Sequence, residues 1–463
     1  MDIDLEQANM VYQANPDDVL AHPETLLKFI VHHKNNQVPR LRRLLDYYES
    51  QNVGINDVDS RRREKGKADH RASNAFAPYI ANFQTAYSVG KPIGVQLDDA
   101  DHEILDRINE SNDVDSHNYE LFLDATIYGR AYELVYRNAE NLEKFVRLDP
   151  TETFIIYTLD VDPKPAVGVR YHAIPNVDPA NPAQKFVVEV WSDKQYIRYR
   201  PTDVAGNNLV VDVIEPRTVM PLIEYKNNWL RMGDFEHVLP LIDLYDAAQS
   251  DTANYMQDLN DALLVIQGDI GQEQEDLIAS LDSSDPDYAK KVLEIKREFN
   301  EQISDTNTLL LHSGTDFDGR QTSVSAEYIY KQYDVQGTEA YKKRVADDIH
   351  KFSHTPNLTD ENFASNVSGI AMKYKLLGTV ELAATKRRMF DKGLYRRYSI
   401  VDNLERAVSS GWNIKVDDIV FTFQDNLPED DLGEITALVQ AGATLPQAYL
   451  YRYAPGITDP DEL

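Results

Sequence analysis

The feature that most limits what this chain can build is a helical period sustained from about Ser368 to Ala407. Ile370, Tyr374, Leu377, Val380 and Ala384 recur at steps of three and four, and a second stripe continues through Phe390, Leu394, Tyr398, Val401 and Leu404. Apolar side chains at that spacing share one helix face. Unbroken, such a helix is about 60 Å long at about 1.5 Å per residue, with Gly378 and Gly393 as expected bend points. A helix that long spans a whole domain, so it belongs to an assembly or multi-part scaffold rather than a compact enzyme core. Upstream, a charged helix from about Glu339 to Phe352 is closed at Thr355-Pro356, because the proline ring disfavours the α region in the residue before it and donates no amide hydrogen bond. A polar loop follows, and Ser365, Asn366 and Ser368 are candidate caps for the long helix.

A length of 463 residues is enough for roughly two to four domains. There is no cysteine, hence no disulfide framework and no thiolate metal site. Met1 is followed by no basic and apolar leader, and no run of about 18 apolar residues occurs, so neither a secretory signal nor a membrane span is expected. Tyrosine outnumbers phenylalanine, 27 to 15, which suits contact surfaces where a ring is buried and its hydroxyl stays wet.

The net charge of −30 argues against gripping nucleic acid by phosphate neutralisation. Its distribution is uneven: between Arg231 and Lys290 there is no lysine or arginine, yet many aspartates and glutamates. Basic residues gather in Arg61-Arg62-Arg63-Glu64-Lys65-Gly66-Lys67 and in Lys386-Arg387-Arg388 with Lys392, Arg396 and Arg397. This segregation predicts one surface kept negative and others free to pair with neighbouring subunits. The Arg61 cluster, which lacks interleaved aromatics, reads as a solvated loop or intersubunit contact rather than a phosphate site.

In chain order, residues 1–50 read as helices, with Pro23-Glu24 in a first turn and Pro39 interrupting the apolar face. Helices follow at Asn74–Tyr87, His102–Asn112 and Asn118–Tyr128. From Arg130 the period changes to two, in runs near 145–148, 153–157, 166–172, 186–191, 196–200, 209–214 and 222–225, which predicts an antiparallel sheet region. The order makes residues 1–230 an α+β domain. Pro240 opens a helix whose stripe, from Leu241 through Leu263 and Ile266, runs to Gly268, with Asp243, Asp246, Asp258 and Asp261 on the other face. Residues 269–337 form a mixed insertion with a lysine-rich helix near Lys290–Phe299 and strands at Thr308–His312 and Val324–Tyr330. A strand is expected at Val416–Phe423 and a helix after Pro428.

Catalytic motifs are nearly absent: no P-loop, Rossmann, His-Glu-x-x-His, Gly-x-Ser-x-Gly or EF-hand pattern occurs. His350 and His354 have the i, i+4 spacing of two metal ligands but no recognisable third ligand, and read as helix-end histidines. Asp282-Ser-Ser-Asp-Pro-Asp287 lacks the turn glycine and terminal glutamate of a calcium loop and reads as a turn or cap.

The string Asp348-Ile-His-Lys-Phe-Ser-His-Thr-Pro-Asn-Leu-Thr-Asp-Glu-Asn-Phe-Ala-Ser-Asn-Val-Ser-Gly-Ile-Ala-Met-Lys-Tyr-Lys-Leu-Leu377 resembles the hallmark segment of the SPP1-type portal proteins of tailed bacteriophages. Four further stretches are similar to that family, in its order: Asn74 to Pro92, Ile127 to Leu134, Pro221 to Asn228 with Gly233 to Glu236, and Leu241 to Asp246 through Leu264 to Ile266. The resemblance implies an α+β, mainly helical subunit of a ring, normally of twelve copies, at one capsid vertex, through which double-stranded DNA is packaged and ejected. It implies a wing at 1–236, a stem helix at 237–268, a clip at 269–337, a second stem helix at 338–355 and a tunnel loop at 356–368. A long bent helix and strand of the wing at 369–425 and a short crown at 426–463 complete the expectation.

On that anatomy the DNA-proximal tunnel-loop residues are Asn357, Thr359, Asp360, Glu361, Asn362, Ser365, Asn366 and Ser368. The acidic stem or channel face is Asp243, Asp246, Asp251, Asp258 and Asp261. Terminase and adaptor contacts fall on Glu273, Glu275, Asp276, Asp285, Lys290 and Lys291. No enzyme activity, cofactor or metal is implied, and no membrane. The partners are copies of the chain, the terminase large subunit, capsid and scaffold proteins, a head-completion adaptor and DNA without sequence preference, in a virion assembled in the host cytoplasm. Two other readings are a scaffold protein that does not close into a ring and a carboxylate-based hydrolase.

Overall fold

The computed structural model describes residues 5–57, 68–97, 102–175, 185–202, 209–258, 263–267, 277–306, 325–329, 334–358, 375–408, 412 and 414–426. They fall into two compact units, one of residues 1–58, 73–245 and 344–463, the other of 59–72 and 246–343.

The first unit begins with helices α1 (Leu5–Ala8), α2 (Pro16–Ala21) and α3 (Pro23–His32), the two-residue strand β1 (Tyr12–Gln13) lying between α1 and α2. Asn15 caps α2 by accepting from the Asp17 amide at 3.1 Å, with Pro16 at the first helical position, where its missing donor is harmless. Pro39 does not interrupt the helix, contrary to the sequence expectation. A π-helical stretch at His33–Gln37 leads directly into α4 (Val38–Tyr48), and this wider turn makes room for the ring and the lost donor of Pro39. After α5 (Val53–Asn56) come α6 (Phe76–Val89), β2 (Gly94–Gln96), α7 (His102–Ser111) and α8 (Val114–Tyr128), close to the helices read from periodicity.

Helix α8 stops at Gly129, φ +83°, where a Cβ would stand 2.1 Å from the Arg231 carbonyl oxygen. Only glycine serves there. The chain turns into β3 (Arg130–Arg137), β4 (Glu143–Leu148), β5 (Thr153–Tyr157), β6 (Pro165–Ala173), β7 (Phe186–Trp191), β8 (Gln195–Thr202), β9 (Val211–Pro216) and β10 (Leu222–Lys226). The expected single antiparallel region is two sheets. One is six-stranded in the order β1-β5-β6-β7-β8-β9 and the other three-stranded in the order β10-β3-β4. Among the described residues all strand pairs are antiparallel except β1 with β5.

Helix α9 (Leu239–Asp258) is followed by β11 (Leu263–Gln267), a correction to the stem helix expected to reach Gly268. Leu263-Leu-Val-Ile-Gln267 is a compact apolar run with two β-branched residues, and it pairs antiparallel with β12 (Ser325–Ile329). Between them lies α10 (Tyr288–Thr306), and α11 (Val335–Phe352) follows β12. Asp334 caps α11, its Oδ1 accepting from the Gly337 amide at 2.9 Å.

Helix α12 (Leu377–Val408) is the predicted long helix, 32 residues in its described extent and about 48 Å long at about 1.5 Å per residue. It passes through Gly378 and Gly393 without interruption. Gly393 is a close approach rather than a break, since a Cβ there would lie 2.3 Å from the Tyr225 ring. Gly393→Val is expected to cost about 1–3 kcal/mol by overpacking, read as a lower urea midpoint at unchanged slope. Beyond α12, a 3-10 turn at Val416–Asp418 precedes β13 (Val420–Thr422), shorter than the expected Val416–Phe423 strand and paired antiparallel with β2. The largest buried cluster joins α8, β3 and β4 to α12 through Leu121, Phe122, Val135, Phe145, Phe390, Leu394 and Tyr398.

Candidate functional site

The segment singled out from the sequence leaves and re-enters the described fold at one well-built place. Helix α11 ends in a reciprocal cap, with the Thr355 amide donating to the His350 carbonyl at 3.1 Å and the His354 amide to that of Lys351 at 3.4 Å. His354 takes the left-handed φ of +53° that glycine more often fills. Its carbonyl is doubly held, receiving Gln84 Nε2 at 3.1 Å and Thr379 Oγ1 at 2.6 Å. Gln84 Nε2 also reaches Thr355 Oγ1 at 2.9 Å, and His350 Nδ1 donates to the Thr355 carbonyl at 3.1 Å. Tyr79 donates to the Pro356 carbonyl at 2.8 Å and accepts from the Leu358 amide at 3.3 Å. Helix α6, through Tyr79 and Gln84, thus holds the exit from α11, while Thr379 ties the same point to the first turn of α12.

Of the loop residues expected near DNA, Asn357 is half-buried and lines a cleft of about 280 Å³ with Phe76, Tyr79 and His350. Thr359, Asp360, Glu361, Asn362, Ser365, Asn366 and Ser368 lie outside the described residues, as do residues 427–463 of the expected crown at 426–463 and the Arg61 cluster.

Helix α12 is seated by ions as well as by apolar packing. Lys386, fully buried, donates to Thr126 Oγ1 at 2.8 Å, pairs with Asp234 and sits over the Phe122 ring at 4.7 Å. Burial lowers its pKa and the Asp234 carboxylate opposes the shift. Asp234 is itself held by Asn227 Nδ2 at 2.6 Å. Three turns on, Arg397 donates to Glu133 at 2.9 and 3.0 Å and to Asn118 Oδ1 at 2.8 Å. Glu133 also receives the Tyr225 hydroxyl and His117 Nε2, each at 2.7 Å. Burial alone would raise the Glu133 pKa, but Arg397 and His117 hold it at about 2. Arg387 pairs with Asp425 at 2.6 Å and donates to the Ser88 carbonyl at 3.0 Å, and Arg396 donates to the Met220 carbonyl at 3.3 Å. The basic cluster read as free for neighbouring subunits is therefore largely consumed within the chain. A buried pair gives little net stability, but removing one partner strands the other charge in the interior at a much larger cost.

At the far end Arg137 is shared between Glu143 and Glu405, the latter at 2.6 Å. Burial, then the neighbouring Glu143, pushes the Glu405 pKa up to about 7. The folded protein accordingly takes up this proton below about pH 7, whereas the unfolded chain does so only near 4.5. The charged form is a cost above pH 7 that is relieved as pH falls towards 5. Glu405→Gln is expected to raise stability by about 1 kcal/mol at pH 8, after allowance for solvent screening, and by nothing at pH 5. Parallel urea titrations check this.

The expected acidic face is only partly open. Asp243 accepts from the Tyr47 hydroxyl at 2.5 Å and lies 3.9 Å from Arg43. Asp246 is fully buried, so its place on an open face is corrected: it lies on the side of α9 that packs inward. Asp251 is exposed. Asp258 is the last residue of α9, its side chain outside the described set, and Asp261 lies outside it altogether. Of the clip residues, Asp285 pairs with Lys291 at 2.6 Å, Lys290 is exposed, and Glu273, Glu275 and Asp276 lie outside the described residues. Among the described residues no group of three or more His, Cys, Asp or Glu is placed to hold a metal. His350 is committed to Thr355 as above, and Asp282 accepts from the Ser284 amide at 2.9 Å as a turn residue.

Sequence comparison decides what this arrangement serves. Residues 27–463 match the family described as phage portal protein, SPP1 Gp6-like. The chain belongs to that family. The portal protein of Clostridium phage phiCD119 is 21% identical over 442 residues, spanning 90% of this chain and 89% of the relative. The portal protein of Bacillus phage SPP1 is 24% identical over 276 residues, 56% of this chain and 52% of the relative. Several residues that hold this portal chain's α12 and loop base, Gln84, Thr126, Glu133 and Asp234, escaped the motif search. All but Thr126 lie within the stretches that carry the resemblance, while Thr126 precedes one by a single residue.

Proposed function

We propose that this portal protein is the subunit of a closed ring, twelve copies in the virion, seated at one capsid vertex. Terminase drives double-stranded DNA inward through its axial channel, and the same channel serves ejection. Capsid and scaffold proteins surround the ring, which assembles in the host cytoplasm, and a head-completion adaptor docks on the clip. The wing comprises residues 1–236 and the long helix with its strand, 369–425. The stem helices are 237–258 and 338–355, the clip 269–337, the tunnel loop 356–368 and the crown 426–463. No chemistry is assigned to it.

The observation that carries this reading is the family match over residues 27–463. The anchorage at His354, Thr355 and Thr379 supports it, because a loop that meets moving DNA needs both flanks fixed. The chain's net charge of −30 supports it too, since a duplex that must slide should meet few phosphate-binding cations. In this reading the loop meets DNA through uncharged polar side chains such as Asn362, Ser365, Asn366 and Ser368, by shape rather than by base sequence. A phage carrying Asn366→Trp tests it. Heads that assemble but stay empty of DNA are expected, whereas normally filled heads would remove residues 356–368 from the DNA path.

A further inference from the structure

The link between β10 and α9 presents an aromatic knob. Trp229 is 74% exposed and Leu230 47%. The link is rigid. Asn228 Oδ1 accepts from the Met232 amide at 3.1 Å, its Nδ2 donates to the Met232 carbonyl at 2.8 Å, and Arg231 adopts φ +57°. Arg231 is further fixed to Glu224 by bonds of 2.8 and 3.0 Å. A large exposed apolar side chain on so fixed a loop is not needed by the subunit's own core.

A preformed cleft lies at the opposite end of the same three-stranded sheet. Its volume is about 170 Å³, and Val135, Tyr136, Trp191, Pro216, Pro221 and Leu404 line it. Thr218 on its wall donates to Asn403 Oδ1 at 2.7 Å, tying the cleft to α12. Arg217, also in the wall, lies over the Tyr196 ring at 5.6 Å. Leu222 pairs with Leu134 and Lys226 with Arg130, so the cleft precedes β10 and the knob follows it. The intervening five-residue strand is roughly 17 Å long at about 3.3 Å per residue.

We propose that Trp229 of one copy of this chain enters the Val135–Trp191–Leu404 cleft of the next, resting on the ring reading above. A head-to-tail contact uses the knob of one copy and the cleft of the next and leaves one of each free to extend the chain of copies, whereas a two-fold contact would engage both pairs at once and stop at a dimer. An indole is the ring on which a cation such as Arg217 stacks best, and tryptophan and arginine are the residue types that dominate interface energies. Trp229 and Leu230 cover far less than the about 800 Å² per partner of a stable interface, so they anchor a larger contact.

The absence of native cysteine makes the test clean. Full-length Thr218→Cys and Trp229→Cys chains, mixed and oxidised, are expected to form a disulfide between chains. The double variant should give a ladder of covalent multimers. A bridge within one chain is excluded, because disulfide Cα atoms lie within about 7 Å. Trp229→Ala should keep the native thermal midpoint yet need at least about tenfold higher concentration to reach the native mass. If the native chain forms rings while Trp229→Ala assembles equally well and no bridge forms, this proposal fails and the ring stands. A native chain that stays monomeric with no bridge removes both. A variant that assembles normally but no longer enters heads would assign Trp229 to another virion protein and overturn the contact between copies.

Discussion

Replacing Arg397 with methionine is expected to destabilise the first unit by about 3–5 kcal/mol. The guanidinium lies over the Phe145 and Tyr225 rings and is wholly buried with Glu133, and methionine leaves that carboxylate with His117 and Tyr225 as its side-chain donors among the described residues. An unpaired buried charge is what makes breaking one partner so much costlier than the net worth of the pair. Equilibrium urea unfolding of the variant gives the magnitude. Adding Glu133→Gln should recover part of the loss, because the uncompensated charge is then gone. A double variant as unstable as the simple sum of the two singles would contradict the pairing.

Lys386→Met should cost a comparable amount, again about 3–5 kcal/mol, but its consequence is local in a different way. Lys386 sits in the half of α12 nearer the anchored loop and ties it to Asp234 at the end of the β10–α9 link. Methionine fills the space over Phe122 but strips Asp234 of its counter-charge. Amide hydrogen exchange should therefore quicken first in residues 377–390 and at Thr379, with the β5–β6 hairpin unaffected. In the phage this variant is expected to make heads with less DNA, because the loop's C-terminal support is loosened. Uniformly faster exchange across the unit would show that Lys386 serves global stability alone.

Much of the scaffold was legible from apolar spacing. The helices at 76–89 and 377–408 and the strands from Arg130 to Lys226 followed their 3.6 and 2.0 periods, since each buries one face. The places where that reading failed share a cause, namely that tertiary partners outweighed local pattern. Residues 263–267 fit a helical stripe as well as a strand, and only the pairing with 325–329 distinguishes the two. Pro39 read as a helix end because a π turn leaves no mark in composition. Lys386 and Arg397 read as surface cations, as such residues usually are, because their partners lie 152 and 264 residues away in sequence. Asp246 likewise read as an open-face acid and is buried. The loop base was legible only in outline: Thr355-Pro356 marked the end of a helix, but Gln84 and Thr379 carry no signature of holding His354.

The corrected charge pattern sharpens the expectation for assembly. Twelve copies at −30 each carry 360 net negative charges, and with Lys386, Arg387, Arg396 and Arg397 committed inside the subunit, repulsion between copies should be relieved by counterions. The most direct measurement is the mass of the purified full-length protein by native mass spectrometry and light scattering at low and high salt. The account predicts a closed species of twelve times 52.8 kDa, favoured as salt rises. A monomer at every salt concentration would contradict it.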